Sequence, residues 1–160
     1  MILCTECYIQ RGDSEDGQTL MLHRNKKSND INQDKWIGLG GKFEAGESPE
    51  QCLIREVREE AGVTLTDYTL RGLITFATTE TLEEPLYIFV YTACEYEGDL
   101  KLDSCTEGTL HWVDTNEVSN LNLWEGDRLF WSWMLEEKPF FSARFVYEKE
   151  KLVEHDVCFH

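Results

Sequence analysis

The sequence has few basic residues and only 3 prolines, and it has no disulfide-type cysteine framework. Only 15 of its 160 residues are Lys or Arg, against 31 Asp or Glu, so the formal net charge is −16 at pH 7. A surface of that sign repels nucleic-acid backbones and anionic membranes, because both are bound through clustered Lys and Arg. We therefore expect neither a nucleic-acid polymer nor a membrane as a partner.

Long hydrophobic runs are also lacking. The longest apolar stretch, residues 86–94, is far shorter than the ~20 residues that a membrane-spanning helix needs. The N-terminal sequence MILCTECYIQRG lacks the basic and apolar regions of a secretory signal. The 6 cysteines are scattered along the chain, as is typical of reduced thiols inside cells. We expect a cytoplasmic location.

Two helices and several strands are predicted from periodicity and capping residues. The first helix has Ser48 as its N-cap, Pro49 at its first position, Gln51 completing a capping box and Gly62 as its C-terminal stop. A second amphipathic helix is predicted over residues 126–136. Strands are predicted at residues 2–10, 18–24, 70–79, 86–95 and 109–113, with a closing hairpin over residues 142–157.

This order of elements predicts an α+β protein: an α/β/α sandwich in which a mixed β-sheet is flanked by helices. A chain of 160 residues suits one domain, so we expect residues 1–160 to form a single domain. Monomer and homodimer both remain open.

Acidic side chains are concentrated in the segment 41–63, GKFEAGESPEQCLIREVREEAGV. On a helix, Glu56, Glu59 and Glu60 stand at positions i, i+3 and i+4 and project from one face. Like charges at that spacing oppose helix formation. The residues alone leave two interpretations equally open: a solvated acidic surface, or a site for a hard cation such as Mg²⁺, which takes oxygen ligands and is shared with substrate phosphates.

At every defining position this segment resembles the signature of the Nudix hydrolases, which cleave nucleoside diphosphates linked to another moiety. The resemblance implies a loop–helix–loop that binds Mg²⁺, with Mn²⁺ as an alternative. The implied ligands are the Gly40 carbonyl and the carboxylates of Glu56, Glu59 and Glu60. Arg55 would orient a catalytic glutamate, while Glu47 would be structural. The implied catalytic residues are thus Glu56, Glu59 and Arg55, and which glutamate is the general base stays open.

Three further segments resemble the MutT-type enzymes of this family: LMLHRNKK (20–27), WIGLGGK (36–42) and LWEGDRLFWSWMLEEKPFFSARFVYEKEKL (123–152). This likeness implies hydrolysis of purine nucleoside triphosphates, with 8-oxo-dGTP as the leading substrate and the monophosphate and pyrophosphate as products. It also implies a role in cleaning the nucleotide pool, and hence in DNA repair.

The same likeness assigns further residues. Glu107 would be an additional metal ligand, although a lone loop glutamate is often only a surface acid. Trp124 and Asp127 would bind the base, with core packing as the alternative for Trp124. Phosphate contacts are expected from Arg24, Lys42 and the loop at Gly41. The aromatic residues that follow Asp127 on the second helix are expected in the core.

Two positions depart from the resemblance. A mammalian member that hydrolyses oxidised purine nucleoside triphosphates has an Asn where this chain has Ile37, and a second Asp where it has Gly126. Both missing groups form hydrogen bonds to the base in that relative, and lost hydrogen bonds change specificity more than lost apolar contacts. A preference for oxidised bases would then be looser, or would depend on other groups.

Three other functions stay open at this point. The enzyme could hydrolyse ADP-ribose, a dinucleotide polyphosphate or another nucleoside-diphosphate-linked compound. An isopentenyl diphosphate isomerase uses the same scaffold, but nothing specific in the sequence supports that activity. A non-catalytic nucleotide-sensing module is disfavoured by the intact signature.

Overall fold

The computed structural model describes residues 1–13 and 15–160. Ser14, which falls in the segment between the first two predicted strands, lies outside the described residues. The strands are β1 (Ile2–Arg11), β2 (Gln18–His23), β3 (Trp36–Ile37), β4 (Thr64–Thr78), β5 (Leu86–Glu97), β6 (Thr109–Asp114), β7 (Phe141–Glu148) and β8 (Lys151–Phe159). The helices are α1 (Pro49–Ala61), α2 (Glu125–Leu135) and a 3-10 helix over Thr115–Asn120.

The strands form one mixed sheet within the described residues. Its order is β3-β2-β1-β5-β4-β7-β8, and β6 pairs with β2 beside this path. β1 pairs with β5, and β4 with β7, in parallel, whereas the other pairs are antiparallel. The predicted mixed sheet is therefore confirmed.

Side-chain alternation along β1 separates two hydrophobic cores. Cys7 and Ile9 point to the face covered by α1, where they share a core with Leu53 and Val57. Tyr8 points to the opposite face and packs with the aromatic side chains of α2. Helices thus cover both faces of the sheet, as the predicted sandwich requires. The expected core residues of α2 are buried there: Phe130, Trp131 and Met134, with Trp133 packed against them.

Helix α1 has the termini that the sequence predicts. The Ser48 hydroxyl accepts a hydrogen bond from the Gln51 backbone N–H at 3.2 Å, and the Gln51 side chain accepts one from the Ser48 N–H at 2.9 Å. Gly62 ends the helix in the left-handed conformation, with φ 75°. The caps set the ends of the helix, and burial of Leu53, Val57 and Ala61 against the sheet decides where its acidic face points.

The structure extends one predicted strand. β4 begins at Thr64, six residues before the predicted start at residue 70. Register shifts between Leu65 and Asp67, and between Leu70 and Gly72, interrupt the two-residue alternation that marks a strand in sequence. The short strand β3 and the 3-10 helix were also not predicted as separate elements.

The glycine-rich segment 38–42 is hydrogen-bonded to β1. The N–H of Thr5 donates to the Gly41 carbonyl at 2.9 Å, and Cys7 and Leu39 exchange hydrogen bonds of 2.6 and 2.9 Å. The segment therefore lies between the sheet and the C-terminal half of α1, where Gly40 and Gly41 contact Glu60 and Glu56. No helix among the described residues is long and apolar enough to cross a membrane.

Candidate active site

A cavity of about 770 Å³ lies where the glycine-rich segment, α1 and the start of α2 meet. Its two ends differ in chemistry. One end is bordered by four carboxylates: Glu56, Glu59, Glu60 and Glu107. The other end has mainly apolar walls: Ile37, Phe76, Leu86, Ile88 and Trp124. All of the predicted metal ligands and substrate contacts border this cavity. Arg55 and Glu47 do not, but Arg55 donates a hydrogen bond to Glu56, which does.

Arg55 organises the acidic end. Its guanidinium binds the Glu47 carboxylate through two hydrogen bonds of 2.6 and 2.9 Å, and it donates to Glu56 at 2.7 Å. It also donates to the Lys42 carbonyl at 3.0 Å and lies 3.5 Å from the Glu59 carboxylate. The bidentate pair holds the pKa of Glu47 at about 2. Glu47 therefore positions Arg55, in the structural role that the resemblance implies.

Glu56 lies against the glycine-rich segment. A Cβ atom added to Gly41 would lie 2.5 Å from the Glu56 carboxylate, so any larger residue there would displace that carboxylate. Burial raises the pKa of Glu56, Arg55 opposes that rise, and the charges of Glu59 and Glu107 add to it.

Glu60 is the most buried acid of α1, with 7% of its surface exposed. One carboxylate oxygen accepts a hydrogen bond from the Gly40 N–H at 2.9 Å. Burial raises the pKa of Glu60 well above its usual range, and the charges of Glu56 and Glu107 raise it further. A buried carboxylate of this kind is stable in its charged form when a cation is bound beside it.

These oxygen donors fit the chemistry of Mg²⁺. They are hard ligands, they raise one another's pKa, and a divalent cation would relieve their repulsion. Within the described part of the chain, no three His, Cys, Asp or Glu side chains already form a metal-ligand cluster. Glu56 and Glu60 are held by Arg55 and by the Gly40 N–H, respectively.

Glu107 is held at the cavity by two cations. Arg24 binds it at 2.7 Å and Lys27 at 3.3 Å. Arg24 also binds Asp30 at 2.7 Å, and 12% of its side chain is exposed. The predicted phosphate contact Arg24 thus borders the cavity but already has two carboxylate partners, while the second predicted contact, Lys42, borders the cavity and is exposed.

Trp124 is packed in the core, which was the alternative considered from sequence. It is 5% exposed and packs edge-on against Phe76 and Tyr147, with ring centroids 5.6 and 5.0 Å away. Its indole N–H donates to the Asn32 side chain at 2.8 Å. The ring is therefore a core residue that also forms part of the cavity wall.

Asp127 borders the apolar end, opposite a carboxyl group that sequence reasoning missed. That group belongs to Glu6 of β1, which accepts hydrogen bonds from the Tyr8 hydroxyl at 2.8 Å and the Gly38 N–H at 2.9 Å. Burial raises the pKa of both carboxyls, and Glu6 adds to the rise at Asp127. The sequence alone shows only a glutamate inside a predicted strand, which does not indicate that its side chain faces the cavity.

Tyr147 explains why this chain has a glycine at position 126, where the mammalian relative has an Asp. Its hydroxyl accepts a hydrogen bond from the Gly126 N–H at 2.8 Å, and a Cβ atom on Gly126 would lie 2.7 Å from that oxygen. No side chain fits at this position without displacement of the tyrosine. At position 37, where the relative has an Asn, this chain places the apolar side chain of Ile37 at the cavity.

Comparison with known proteins identifies the family. A family model described as the NUDIX domain matches residues 7–134, which is most of the chain. The chain belongs to the Nudix hydrolase family. The acidic face of α1 and its glycine-rich segment are thus the Nudix signature, folded as the resemblance implied.

Two curated relatives and one solved structure illustrate the likeness. The chain is 29% identical over 148 residues to the Nudix hydrolase YvcI of Bacillus subtilis, covering 91% of this chain and 87% of that protein. It is 31% identical over 124 residues to the oxidized purine nucleoside triphosphate hydrolase of Danio rerio, covering 76% of each. The crystal structure of a MutT protein from Bacillus halodurans superposes with a TM-score of 0.83 at 26% identity, covering 98% of this chain and 97% of that one. The Nudix-type sandwich is therefore confirmed.

Proposed function

We propose that this Nudix hydrolase is a Mg²⁺-dependent pyrophosphohydrolase of purine nucleoside triphosphates, with 8-oxo-dGTP as the leading substrate. The products are the nucleoside monophosphate and pyrophosphate. The observation that carries this proposal is the division of one cavity into a carboxylate end and a largely apolar, aromatic end. A triphosphate and its base need two such environments side by side.

The carboxylate end is suited to hold the metal. Glu56, Glu59, Glu60 and Glu107, with the Gly40 carbonyl, are the proposed ligands, and Mn²⁺ is the alternative ion. When bound, Mg²⁺ supplies positive charge that neutralises the phosphate oxygens and stabilises the leaving pyrophosphate. Lys42 supplies the exposed positive charge at the cavity for the rest of the triphosphate.

The reaction adds water to a phosphorus atom and breaks the bridging P–O bond. A carboxylate of α1, Glu56 or Glu59, accepts the proton of the attacking water. The Glu56 carboxylate is fixed by Arg55 at 2.7 Å, whereas Glu59 is 60% exposed and less restrained. Arg55 positions these carboxylates and is itself fixed by Glu47.

The base end supports a purine as the ligand. Trp124 and Phe76 offer aromatic surface, and stacking of an aromatic side chain on a base contributes ~1–3 kcal/mol. Asp127 offers a carboxyl group at the same end. The name of the Danio rerio relative, an oxidized purine nucleoside triphosphate hydrolase, supports the same substrate class.

The deciding experiment is a product assay with and without Mg²⁺. The substrates are 8-oxo-dGTP, 8-oxo-GTP, dGTP, the other deoxynucleoside triphosphates and ADP-ribose. We expect Mg²⁺-dependent release of pyrophosphate, with the highest kcat/KM for the oxidised purines. Turnover of ADP-ribose to AMP without comparable turnover of any triphosphate would contradict the proposal, and binding of nucleotides without turnover would favour a sensing module.

A further inference from the structure

Glu6 stands apart from the carboxylates of the Nudix signature. Because side chains alternate along β1, Glu6 and Tyr8 lie on the α2 face of the sheet, while Cys7 lies on the α1 face. Glu6 borders the base end of the cavity. The roles that the Nudix signature assigns to acidic residues therefore do not account for this carboxyl group.

The contacts of Glu6 leave half of its carboxyl group available. Oε1 accepts both the Tyr8 hydroxyl at 2.8 Å and the Gly38 N–H at 2.9 Å. Oε2 has no hydrogen-bond partner among the described residues, and it is not sealed from solvent. Gly38 packs tightly beneath the side chain, since a Cβ atom there would lie 2.9 Å from the Glu6 Cγ. The free oxygen is thus held in a fixed place at the cavity.

Asp127 brings a second carboxyl group to the same end of the cavity. It lies in the first turn of α2 and has no hydrogen-bond or ion-pair partner among the residues that the structure describes. Burial raises the pKa of Asp127 and the charge of Glu6 adds to that rise, while Lys35 and Arg128 oppose it. The carboxyl groups of Glu6 and Asp127 thus both border the base end of the cavity, whose other lining residues are mainly apolar.

We propose that Glu6 is a specificity-determining residue that, together with Asp127, binds the hydrogen-bonding edge of a guanine-type base. The proposal rests on the nucleotide substrate of the proposed function and names the base within it. The missing polar groups at Ile37 and Gly126 are replaced, in this chain, by a carboxyl group from β1.

The hydrogen-bonding groups of guanine explain why we propose this base and not adenine. Guanine presents adjacent N–H donors at N1 and N2 beside the O6 acceptor, whereas adenine presents one amino group beside a ring-nitrogen acceptor. Carboxyl oxygens accept N–H donors, and a protonated carboxyl donates to a carbonyl such as O6. Two carboxyl groups therefore satisfy the edge of guanine more fully than that of adenine.

The test measures binding of dGMP, 8-oxo-dGMP and dAMP by calorimetry without metal, for the wild type, Glu6→Gln and Glu95→Gln. Glutamine keeps an oxygen for Tyr8 and Gly38 but presents an amide N–H₂ to the donors of guanine. We expect Glu6→Gln to reduce the preference for dGMP over dAMP by about tenfold, since a hydrogen bond to a charged group contributes about that much. Glu95 is an exposed acid of β5. The control Glu95→Gln removes one carboxylate away from the cavity and should leave the preference for dGMP over dAMP unchanged.

Steady-state kinetics separates this inference from the proposed function. With dGTP and dATP as substrates, Glu6→Gln should raise the KM for dGTP more than the KM for dATP. An equal loss for both bases would give Glu6 a purely structural role and overturn the inference. Equal affinity of the wild type for dGMP and dAMP, or no binding of either, would overturn it as well. A guanine preference that depends on Glu6 in a protein without pyrophosphohydrolase activity would instead overturn the proposed function alone.

Glu6→Asp provides a second variant should Glu6→Gln fail to fold. It keeps the carboxyl group but withdraws it by one methylene from both Tyr8 and the cavity. The same loss of guanine preference is expected, with the thermal unfolding temperature as the control for folding. Retention of the full preference in Glu6→Asp would contradict a fixed contact with the base.

Discussion

Arg55 and Glu56 connect the two parts of the signature at the level of single residues. The guanidinium joins Glu47 in the loop, the Lys42 carbonyl in the glycine-rich segment and Glu56 on the helix. Lysine could not reproduce these contacts, because an ammonium group lacks the planar, forked donors of arginine. The chemistry of the site therefore depends on one side chain that need not touch the substrate.

Glu56→Gln should reduce kcat by about 100-fold or more, on the scale of a lost general base or ligand. The amide is nearly isosteric and still accepts the 2.7 Å hydrogen bond from Arg55, so the fold should persist. The measurement is kcat at saturating Mg²⁺, with circular dichroism as a check on folding. Glu95→Gln is the matched control, and residual activity within a few-fold of the wild type would remove Glu56 from the catalytic residues.

Trp124→Phe should raise KM more than it lowers kcat. Phenylalanine keeps most of the contact with Phe76 and Tyr147 but loses the hydrogen bond to Asn32, a bond that contributes about 1 kcal/mol. Kinetics with a purine triphosphate, together with denaturant unfolding, will separate the two effects. A loss of stability without any change in KM would mean that Trp124 acts only in packing.

The places of single residues at the cavity were predictable where the family resemblance covers them, and their roles stay predictions. Glu56 and Glu60 follow from helical spacing plus the resemblance. Glu6 does not, because an isolated glutamate in a strand of an acidic protein gives no sign of the compartment that it faces. The obstruction of Gly126 by Tyr147 also depends on a contact across 21 positions of sequence, which no local pattern contains.

Helix α1 is the element whose structure the sequence predicts most fully. Its caps, its buried stripe and its acidic face all follow from local rules of spacing and hydrogen bonding. β4 is the opposite case, because its bulges are set by pairing with β5. The start of β4 therefore depends on tertiary structure and could not be predicted from local sequence.

Glu47 ties the loop before α1 to the helix, and this contact should have a defined pH dependence. Its pKa is lowered from 4.5 to about 2, so the pair stabilises the fold fully above pH 4.5 and is lost as the pH falls toward 2. The difference in unfolding free energy between the wild type and Glu47→Gln should be constant above pH 4.5 and shrink below it.

Chemical denaturation at several pH values provides that measurement. Glu44→Gln is the control, because it removes a neighbouring exposed charge that lies 3.9 Å from the Arg55 guanidinium. A difference between the wild type and Glu47→Gln that stays the same down to pH 2 would show that the two residues are not paired in solution.

The whole molecule carries a net charge of −16, and its most concentrated acids surround one cavity. Self-repulsion of this kind opposes the compact state, and cations relieve it. General screening by salt and specific binding of a divalent ion should therefore both stabilise the protein, but by different amounts.

Mg²⁺ should raise the unfolding temperature more than NaCl does at equal ionic strength. A ligand that binds only the native state contributes ~2.7 kcal/mol at 100 times its dissociation constant. In Glu60→Gln the specific part of the increase should disappear, while the increase due to salt remains. Scanning calorimetry with EDTA-treated protein measures both, and identical shifts from Mg²⁺ and NaCl in the wild type would argue against a metal site.

Because the glycine-rich segment pairs with β1, hydrogen exchange at two backbone amides of β1 reports on the state of the active site. The N–H groups of Thr5 and Cys7 are shielded by the carbonyls of Gly41 and Leu39, and not by another strand. Their hydrogen–deuterium exchange therefore records each detachment of the segment that shapes the phosphate end of the cavity. Any ligand that holds this segment in place slows the exchange of both amides together, so ligand occupancy can be measured from two backbone N–H groups of β1.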